Sequence, residues 1–517
     1  MSIRKKDNKR RRSMIVSKNY IVDPDAHIPF ENHVDDCVGT GRMGLALTKE
    51  YQDQLSLVQE EIGFRHIRGH GLFSDDMAVY HEYKDESGET RAEYNFTYLD
   101  LVMDYYLKLG IRPFLELGFM PEQMASGDQT VFYWKGNVTP PKDYKTWCDM
   151  VQATLRHFIE RYGTEEVIKW PIEVWNEPNL PGFWEHADMD EYFKLFQKTF
   201  DAVKEVDSKF RVGGPAICGV DDERWIRSFL EFCRRETIPL DFVTRHHYTT
   251  ELPEQVGHYG YAKLSEPAYG FQNLHKTREI VDGFNEYKGC DIYITEFNTS
   301  YIPNCPIHDT NQNAAYIAHQ LSNLGNDNQS YSYWTFGDVF EENGVPFTPF
   351  HGGFGLVANG CIPKPTFWTF QFYKELTGTC VHKSEEAVIV RQEDGSYRGV
   401  AFHSCLKRSG RVLKLDLTLP VPEGEYVLLT KTVDEETCNP LKLWHDMGEP
   451  ASLTNEQTKL LKESARPFVC SERLKSNEEG GRVSFQIKEN GVIYFELKLV
   501  GKGSDRGYCY KRVMQYE

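Results

Sequence analysis

The stretch Trp170-Pro-Ile-Glu-Val-Trp-Asn-Glu-Pro-Asn179 holds a short apolar run that ends at a proline. The run predicts a buried strand, because proline cannot donate to a sheet ladder and keeps the residue before it extended. The strand would therefore end on Asn176 and Glu177, with an amide and a carboxylate side by side among aromatic residues. An amide and an acid at a strand end suit the binding of sugar hydroxyls and proton transfer to a glycosidic oxygen.

From about residue 30 the chain alternates between short apolar strands and amphipathic helices. Strands are predicted at Asp35–Thr40, Phe64–Gly69, Arg112–Gly118, Trp170–Asn176, Arg211–Pro215, Asp241–His247, Asp291–Phe297 and Ser330–Phe336. Helices are predicted between them at Lys49–Ile62, Asn95–Leu109, Asp143–Tyr162, Asp188–Val206, Asp222–Arg235, Phe271–Tyr287 and Thr310–Leu324. Eight β–α units in series indicate an α/β fold of the (β/α)8 TIM-barrel type rather than a doubly wound sheet.

A second carboxylate lies in a matching position three units later. The stretch Ile292-Tyr-Ile-Thr-Glu-Phe-Asn-Thr-Ser-Tyr301 forms the seventh strand and its exit, with Glu296 close to the strand end. Glu177 and Glu296 are therefore both expected at the carboxyl-terminal face of the barrel, where barrel active sites lie. Two carboxylates that flank a sugar can hydrolyse its glycosidic bond, one as proton donor and the other as nucleophile or base. The alternative is that Glu296 is a structural acid at a strand end.

Three regions are predicted along the chain. Residues 1–17 form a disordered basic tail, since the first fourteen residues hold seven basic side chains and one acid. Residues 18–346 form the catalytic barrel, with 15–29 as a candidate to pair with the region that follows it. Residues 347–517 alternate in short strands with Asp-Gly and Asn-Gly turns, which predicts a C-terminal antiparallel β-sandwich domain. A charged insertion at Asn455–Glu479, helical in its first half, interrupts that domain.

The composition narrows the class of protein. The net charge is −18 in spite of the basic tail, and so acidic a surface argues against nucleic acid as the main partner. The twelve cysteines include no Cys-x-x-Cys pair, which predicts reduced thiols in a reducing compartment and no zinc site. No apolar run approaches the ~20 residues that span a bilayer, or resembles a signal peptide. We therefore expect a cytoplasmic protein that does not act at a membrane.

The two carboxylate motifs resemble those of retaining (β/α)8 glycosidases with catalytic carboxylates on strands 4 and 7. More narrowly, the chain is similar to glycoside hydrolase family 39, the β-xylosidases and α-L-iduronidases. Similarity to the bacterial β-xylosidase branch extends to His27–Arg42, Arg68–Gly71, Gly127–Trp134, Gly213–Ala216, Arg245–Tyr248, Tyr333–Phe336 and Phe350–Leu356. The resemblance covers about residues 20–370, and the C-terminal third resembles the family's accessory β-domain only in kind.

The resemblance implies a role for each matching residue. Glu177 corresponds to the general acid/base, Glu296 to the nucleophile, and Asn176 to the amide that bonds the sugar 2-hydroxyl. The subsite of the terminal sugar is lined by the positions that match His70, His246, Tyr248, Tyr301, Trp334 and Glu342. The resemblance implies no metal ion and no organic cofactor.

Some of these assignments leave alternatives open. Strand alternation puts His246 and Tyr248 on one face and His247 on the other. Tyr301 is expected to hydrogen-bond the nucleophile carboxylate, with simple packing as the alternative.

Two further pairs of acids lie on or after the predicted barrel strands. Of the adjacent Glu341 and Glu342, we prefer Glu342 as the one that faces the sugar. Glu116 and Glu173 lie inside predicted strands and need partners there, and we assign them no chemistry.

The favoured function is an exo-acting retaining β-xylosidase for short xylo-oligosaccharides. The alternatives are an α-L-iduronidase, which needs a basic residue in the subsite that we cannot place, and an α-L-arabinopyranosidase. A non-catalytic sugar-binding protein is a further alternative, although both carboxylates are present. The basic tail has two kinds of explanation. One is a role in nuclear targeting, in RNA binding or as a scaffold. The other is a solvated extension without a function, or translation that begins at Met14. A homotetramer is expected from the family resemblance.

Overall fold

The computed structural model describes residues 14–501 and 507–516. Most of the predicted basic tail, residues 1–13, lies outside the described residues. The last residues of that predicted tail belong to a strand, Ile15–Ile21.

Eight parallel strands close into a barrel, which confirms the predicted fold class. In chain order, from first to eighth, they are Cys37–Arg42, His66–His70, Arg112–Leu117, Ile172–Val174, Val212–Ile217, Phe242–Tyr248, Asp291–Asn298 and Ser330–Tyr333. The first strand begins two residues later than predicted. The barrel closes where Tyr333 of the eighth strand pairs with Val38 of the first.

A helix follows each barrel strand and packs outside it. These helices are Lys49–Glu61, Thr97–Lys108, Tyr144–Tyr162, Met189–Val206, Asp222–Arg235, Pro267–Asp282, Asn311–Leu324 and Pro365–Lys374. Asp143, Asp188 and Thr310 cap three of them, because their side chains accept hydrogen bonds from backbone N–H groups of the first turn. The last helix lies beyond residue 346, and its Phe367 and Phe370 belong to the barrel core. The barrel therefore continues past the boundary expected from the sequence.

Two packed sheets form the C-terminal domain. The larger sheet contains, in spatial order, Thr379–Lys383, Ala387–Arg391, Tyr397–Phe402, Val492–Leu499, Gly424–Val433 and Phe468–Ser476. The smaller sheet contains Ile15–Ile21, Val412–Leu419 and Gly481–Lys488. Its N-terminal strand runs parallel to its neighbour, with Ile15 opposite Val412. Apolar side chains from both sheets form one core, separate from that of the barrel.

The predicted charged insertion differs from its expected form in its second half. Asn455–Ser464 is a helix, capped by a reciprocal pair of bonds between Thr454 and Gln457. Phe468–Ser476 then forms an edge strand that pairs with Gly424–Val433. Its side chains are almost all exposed, and this removes the apolar alternation by which a strand is recognised in sequence.

Short elements decorate both domains. Further helices and 3-10 turns are Met43–Leu47, Asp75–Met77, Thr164–Val167, Glu185–Ala187, Pro306–Asp309, Pro440–Asp446 and Tyr510–Val513. Small two-stranded ribbons join Tyr80–Lys84 with Thr90–Tyr94, Thr130–Val131 with Gly136–Asn137, Glu254–Val256 with Tyr259–Tyr261, and Val357–Ala358 with Ile362–Pro363. Within the part of the chain that the structure describes, no helix combines the length and apolar character needed to cross a bilayer.

A buried ion cluster secures the loop between the eighth strand and the last helix. The Lys364 ammonium lies 2.6 Å from Asp309 and 2.7 Å from Asp338, and all three side chains are almost fully buried. The same ammonium donates to the Gly353 carbonyl at 2.8 Å. The two aspartates accept the backbone N–H groups of Gly352 and Gly355. The glycine-rich loop is thereby held against the carboxyl-terminal face of the barrel.

We expect Lys364→Ala to lower the free energy of unfolding by about 3–5 kcal/mol, because Asp309 and Asp338 would be left as uncompensated buried charges. Urea unfolding followed by tryptophan fluorescence would measure the change. Lys49→Ala is the control, since Lys49 pairs with Asp53 at an exposed position and its loss should leave the midpoint unchanged. Equal midpoints for Lys364→Ala and the wild type would contradict a structural role for the cluster.

Candidate active site

The fourth barrel strand ends in a tightly constrained turn that carries Glu177. The backbone of Glu177 has a φ of 46° and that of Trp175 a φ of 73°, both in the left-handed region that side-chain-bearing residues rarely adopt. The turn is held in place because Glu177 N–H donates to the Ala216 carbonyl at 2.9 Å, and the Trp175 indole donates to the Phe183 carbonyl at 2.8 Å. Such local strain is found at functional sites that the surrounding structure supports.

Glu177 and Glu296 face each other across the mouth of the barrel. A carboxylate oxygen of each and a ring nitrogen of His246 all lie within 4.8 Å of one another. His246 Nδ1 lies 2.7 Å from Glu177 and 3.5 Å from Glu296. Tyr248 donates its hydroxyl proton to Glu296 at 2.6 Å. Two side chains of the sixth strand therefore connect the carboxylates of the fourth and seventh.

The guanidinium of Arg68 is the centre of a larger buried network. Its Nη1 donates to Glu296 at 2.6 Å, its Nε to Glu173 at 2.8 Å, and its Nη2 to the amide oxygen of Asn176 at 2.8 Å. Nη2 also lies 2.9 Å from Glu116. The side chains of Arg68, Glu116 and Glu173 are fully buried. One cation thus ties together groups from the second, third, fourth and seventh strands.

Charges in this network determine the proton affinity of the groups around it. Burial, and then the negative charge of Glu296, raise the pKa of Glu177 well above that of an ordinary glutamate. Burial and the positive charge of Arg68 lower the pKa of His246 well below its usual value. Glu177 therefore favours its acid form and His246 its neutral form. The pKa of Glu342 is also raised, by burial and by Glu296.

A cavity of about 400 Å³ opens above the carboxylate pair. Eight of the nine predicted site residues line it, namely His70, Asn176, Glu177, Tyr248, Glu296, Tyr301, Trp334 and Glu342. His70 packs against Trp334, with ring centroids 4.6 Å apart. Of the two adjacent acids, Glu342 borders the cavity and Glu341 accepts a hydrogen bond from Arg42 at 2.7 Å.

Two predicted contacts differ from the structure. His246 is fully buried and contacts the carboxylates instead of lining the cavity, whereas His247 borders it. His246 and Tyr248 both reach the carboxylates, as the predicted alternation requires, and the irregular ladder beside them leaves its extra residue, Thr295, on the seventh strand. The expected bond from Tyr301 to Glu296 is made by Tyr248 instead. Tyr301 remains 44% exposed and packs against the Tyr248 ring at 6.3 Å.

Three residues of the network received no role from the sequence. Arg68 belongs to one of the stretches that are similar to the family, and Glu116 and Glu173 are predicted only to need partners inside their strands. The structure supplies those partners: Glu173 accepts from Thr295 at 2.8 Å as well as from Arg68, and Glu116 lies 2.7 Å from His70 Nδ1. A charged residue inside each of three predicted barrel strands was the signal that could have identified the network, since buried charges require pairing.

The same residues are a poor fit for a metal ion. Glu177, His246 and Glu296 form the one group of potential ligands that is close enough, among the residues described. Both oxygens of Glu296 already accept hydrogen bonds, one from Arg68 and one from Tyr248. A cation at this point would also face the Arg68 guanidinium, which would repel it.

Comparison with known proteins identifies the family to which the chain belongs. The family model for glycosyl hydrolases family 39 matches residues 21–483. A beta-xylosidase of Geobacillus stearothermophilus is 47% identical over 474 residues, which are 91% of this chain and 94% of that protein. A beta-xylosidase of Caldicellulosiruptor saccharolyticus is 34% identical over 476 residues, 90% of this chain and 92% of that protein.

Similarity to solved structures supports the same family. The crystal structure of a monomeric beta-xylosidase from Caulobacter crescentus CB15 superposes with a TM-score of 0.85 at 32% identity. The match covers 94% of this chain and 100% of that one. The resemblance noted from the sequence motifs is therefore confirmed, and the chain belongs to family 39 of the glycosyl hydrolases.

Proposed function

We propose that this glycosyl hydrolase is a retaining exo-β-xylosidase. It would release xylose from the non-reducing end of β-1,4-xylo-oligosaccharides, and from aryl β-xylosides, by a double displacement. The observation that carries the proposal is the pair Glu177 and Glu296, whose carboxylate oxygens lie within 4.8 Å of each other at the cavity floor. The sugar is inferred from the beta-xylosidases of Geobacillus and Caldicellulosiruptor, to which the chain is similar along most of its length.

The spacing of the carboxylates favours retention of configuration. Retaining enzymes hold their two carboxyl groups ~5–5.5 Å apart, whereas inverting enzymes separate them by ~6.5–9.5 Å to admit a water molecule. One carboxylate oxygen of Glu177 lies within 4.8 Å of one of Glu296, which fits the shorter separation of retaining enzymes. One carboxylate must then attack the anomeric carbon directly.

In the first step, Glu296 is the nucleophile and Glu177 is the acid. Arg68 and Tyr248 orient Glu296 by one short hydrogen bond to each oxygen. Glu177 has a raised pKa and gives its proton to the leaving oxygen as the glycosidic bond breaks. The amide oxygen of Asn176 is taken by Arg68, so that its NH2 group is free to donate to the sugar 2-hydroxyl.

In the second step, the same glutamate becomes a base. Formation of the glycosyl ester removes the negative charge of Glu296, which is the second cause of the raised pKa of Glu177. The pKa of Glu177 then falls, and the carboxylate takes a proton from the incoming water. Water attacks the anomeric carbon, and xylose leaves with its original configuration.

The form of the cavity supports exo action on a neutral sugar. At about 400 Å³ it lies at the small end of ligand pockets. Its inner wall is aromatic, with Trp334 and Phe354 both 1% exposed. Its described lining contains no arginine or lysine, although an iduronide would bring a carboxylate that needs one. An α-L-arabinopyranoside differs from a β-D-xyloside only at C4, and comparison of the two aryl glycosides tests that alternative.

The cellular location and the oligomeric state predicted from the sequence stay proposals. All twelve cysteines are free thiols, which suits a reducing cytoplasm. The homotetramer expected from the family resemblance can be checked by light scattering.

We expect Glu296→Ala to abolish the hydrolysis of aryl β-xylosides, because no group remains to attack the anomeric carbon. Added azide should restore the release of the aryl alcohol and form a xylosyl azide of inverted configuration, detected by NMR. Glu341→Ala is the control, since that acid lies outside the cavity and should leave turnover close to wild type. Hydrolysis by Glu296→Ala at the wild-type rate would remove Glu296 from the mechanism.

For Glu177→Ala we expect a loss of about 10²–10⁴-fold on xylobiose, whose leaving group needs protonation. Cleavage of a dinitrophenyl xyloside should change far less, because that leaving group departs unprotonated. An equal loss on both substrates would argue against a proton-donor role.

The pH dependence of kcat/KM should report the ionisation of Glu177. Glu177 acts in its protonated form, so wild-type activity on xylobiose should fall as the pH rises through its raised pKa. The fall is therefore expected above the usual glutamate range, which centres near ~4.3. Glu177→Ala with the dinitrophenyl substrate should lack this basic limb, and persistence of the limb would assign it to another group.

A further inference from the structure

The two carboxylates divide the mouth of the barrel into two arcs. Glu177 follows the fourth strand and Glu296 lies in the seventh. The closed strand order places the eighth, first, second and third strands on one side of this pair, and the fifth and sixth strands on the other. A glycosidic bond between the carboxylates must therefore direct its two sugars, or its sugar and its aglycone, into different arcs.

The arc of the eighth and second strands is enclosed. His70 is 2% exposed, and Trp334 and Phe354 are each 1% exposed. An enclosed pocket suits the sugar at the non-reducing end of a chain, because no further sugar is attached to that end. This side therefore suits the terminal xylose.

The opposite arc is open to solvent. It consists of Cys218, Gly219 and Val220 after the fifth strand, and of Thr250 and Tyr269 after the sixth. Val220 is 56% exposed and Tyr269 is 51% exposed. A leaving group that departs into solvent would pass along this side.

The chemistry of the open arc is largely apolar and carries no charge of its own. Burial, followed by the charge of Glu177, raises the pKa of the Cys218 thiol to about 12, so the sulfur is neutral. Burial and Arg245 lower the pKa of His247 to about 3, so the imidazole is neutral as well. Asn273 can act as a hydrogen-bond donor here, since its oxygen is already occupied by Arg245 at 2.9 Å.

Gly219 leaves free space in the open arc, because it has no side chain. A Cβ atom placed on Gly219 would meet no other atom within 4 Å. The glycine also needs no left-handed backbone, since its φ is not positive. A side chain introduced at this position would consequently occupy free space at the cavity wall without straining the fold.

We propose that Cys218, Gly219, Val220 and Tyr269 form the leaving-group subsite, and that it takes an uncharged aglycone with an apolar face. The proposal rests on the proposed function and adds the class of aglycone and the residues that select it. Aryl and alkyl alcohols and a single neutral sugar fit this description. Carboxylate-bearing aglycones do not, since the described lining of the cavity contains three acids, Glu177, Glu296 and Glu342, and no arginine or lysine that could pair with a further carboxylate.

Gly219→Leu tests the position of the subsite. We expect kcat/KM for xylobiose and for phenyl β-xyloside to fall about tenfold or more, because the new side chain fills the space of the aglycone. β-Xylosyl fluoride has almost no aglycone, and its kcat/KM should stay within about twofold of wild type, since overpacking acts only where atoms meet. Gly182→Leu is the control, because Gly182 also has open space around it but does not line the cavity.

The outcomes separate the subsite from the activity itself. An equal loss on the fluoride and on xylobiose would overturn the assignment, and so would no loss on either. If the wild type failed to cleave even the fluoride, the proposed xylosidase activity would be wrong, and the proposed subsite would be wrong as well.

A matched pair of substrates tests the selection by charge. Wild-type kcat/KM for 4-carboxyphenyl β-xyloside should be lower than that for its neutral 4-carbamoylphenyl analogue by about fivefold, the effect of like charges at short range in water. Val220→Lys should close this gap, while Val220→Met, of similar length and without charge, should not. Equal rates on both substrates in the wild type, or a gap unchanged by the lysine, would contradict the proposed charge preference.

Discussion

The active-site end of the barrel depends on one buried guanidinium, that of Arg68. Burial alone would lower the pKa of Arg68, but Glu173, Glu116 and Glu296 together raise it above its ordinary value. Several kcal/mol per ion are lost when charges leave water, and only short, well-directed hydrogen bonds recover them. Arg68 meets this condition with bonds of 2.6–2.8 Å to Glu173, Asn176 and Glu296, and it lies 2.9 Å from Glu116. Arg68 therefore holds the nucleophile Glu296 and the amide of Asn176 from within the barrel.

The network leaves an excess of negative charge, and that excess has a chemical use. One arginine balances three carboxylates, and Glu177 lies beside them in the same low-dielectric region. A proton on Glu177 is favoured as long as Glu296 is charged, and is released once Glu296 is esterified. A single arrangement thus yields an acid in one step and a base in the next, without movement of the backbone. The neutral His246, 2.7 Å from Glu177, orients the carboxyl group without adding charge.

The barrel and its two carboxylates could be predicted from sequence because both depend on local patterns. Alternating strands and capped helices repeat every forty residues or so, and Pro178 marks where the apolar run ends. The strand itself stops at Val174, and Glu177 has a left-handed φ of 46° instead of the extended backbone expected before a proline. The predicted barrel boundary at residue 346 falls short of the last barrel helix, because Pro365 begins that helix after a long loop that is held by the buried Lys364 cluster. The edge strand Phe468–Ser476 was missed because both of its faces are exposed, so no periodicity marks it.

The sequence predicts a site residue only where that residue lies at the end of a predicted strand. Which of Tyr248 and Tyr301 reaches Glu296 depends on distances across the barrel, and no spacing in the sequence contains them. The same holds for Arg68, whose partners range from Glu116, 116 − 68 = 48 residues away, to Glu296, 228 residues away along the chain. Alternation along the sixth strand predicts one face for His246 and Tyr248, and both reach the carboxylates, but the pattern does not show that burial keeps His246 from lining the cavity.

The anomeric form of the first sugar released tests the central claim most directly, namely that Glu296 attacks the anomeric carbon while Glu177 supplies the proton. The wild-type protein would be mixed with an aryl β-D-xyloside and followed by proton NMR before mutarotation equilibrates the product. Double displacement predicts that β-xylose appears first and that α-xylose grows in later. Initial release of α-xylose would show direct attack by water and would contradict the account.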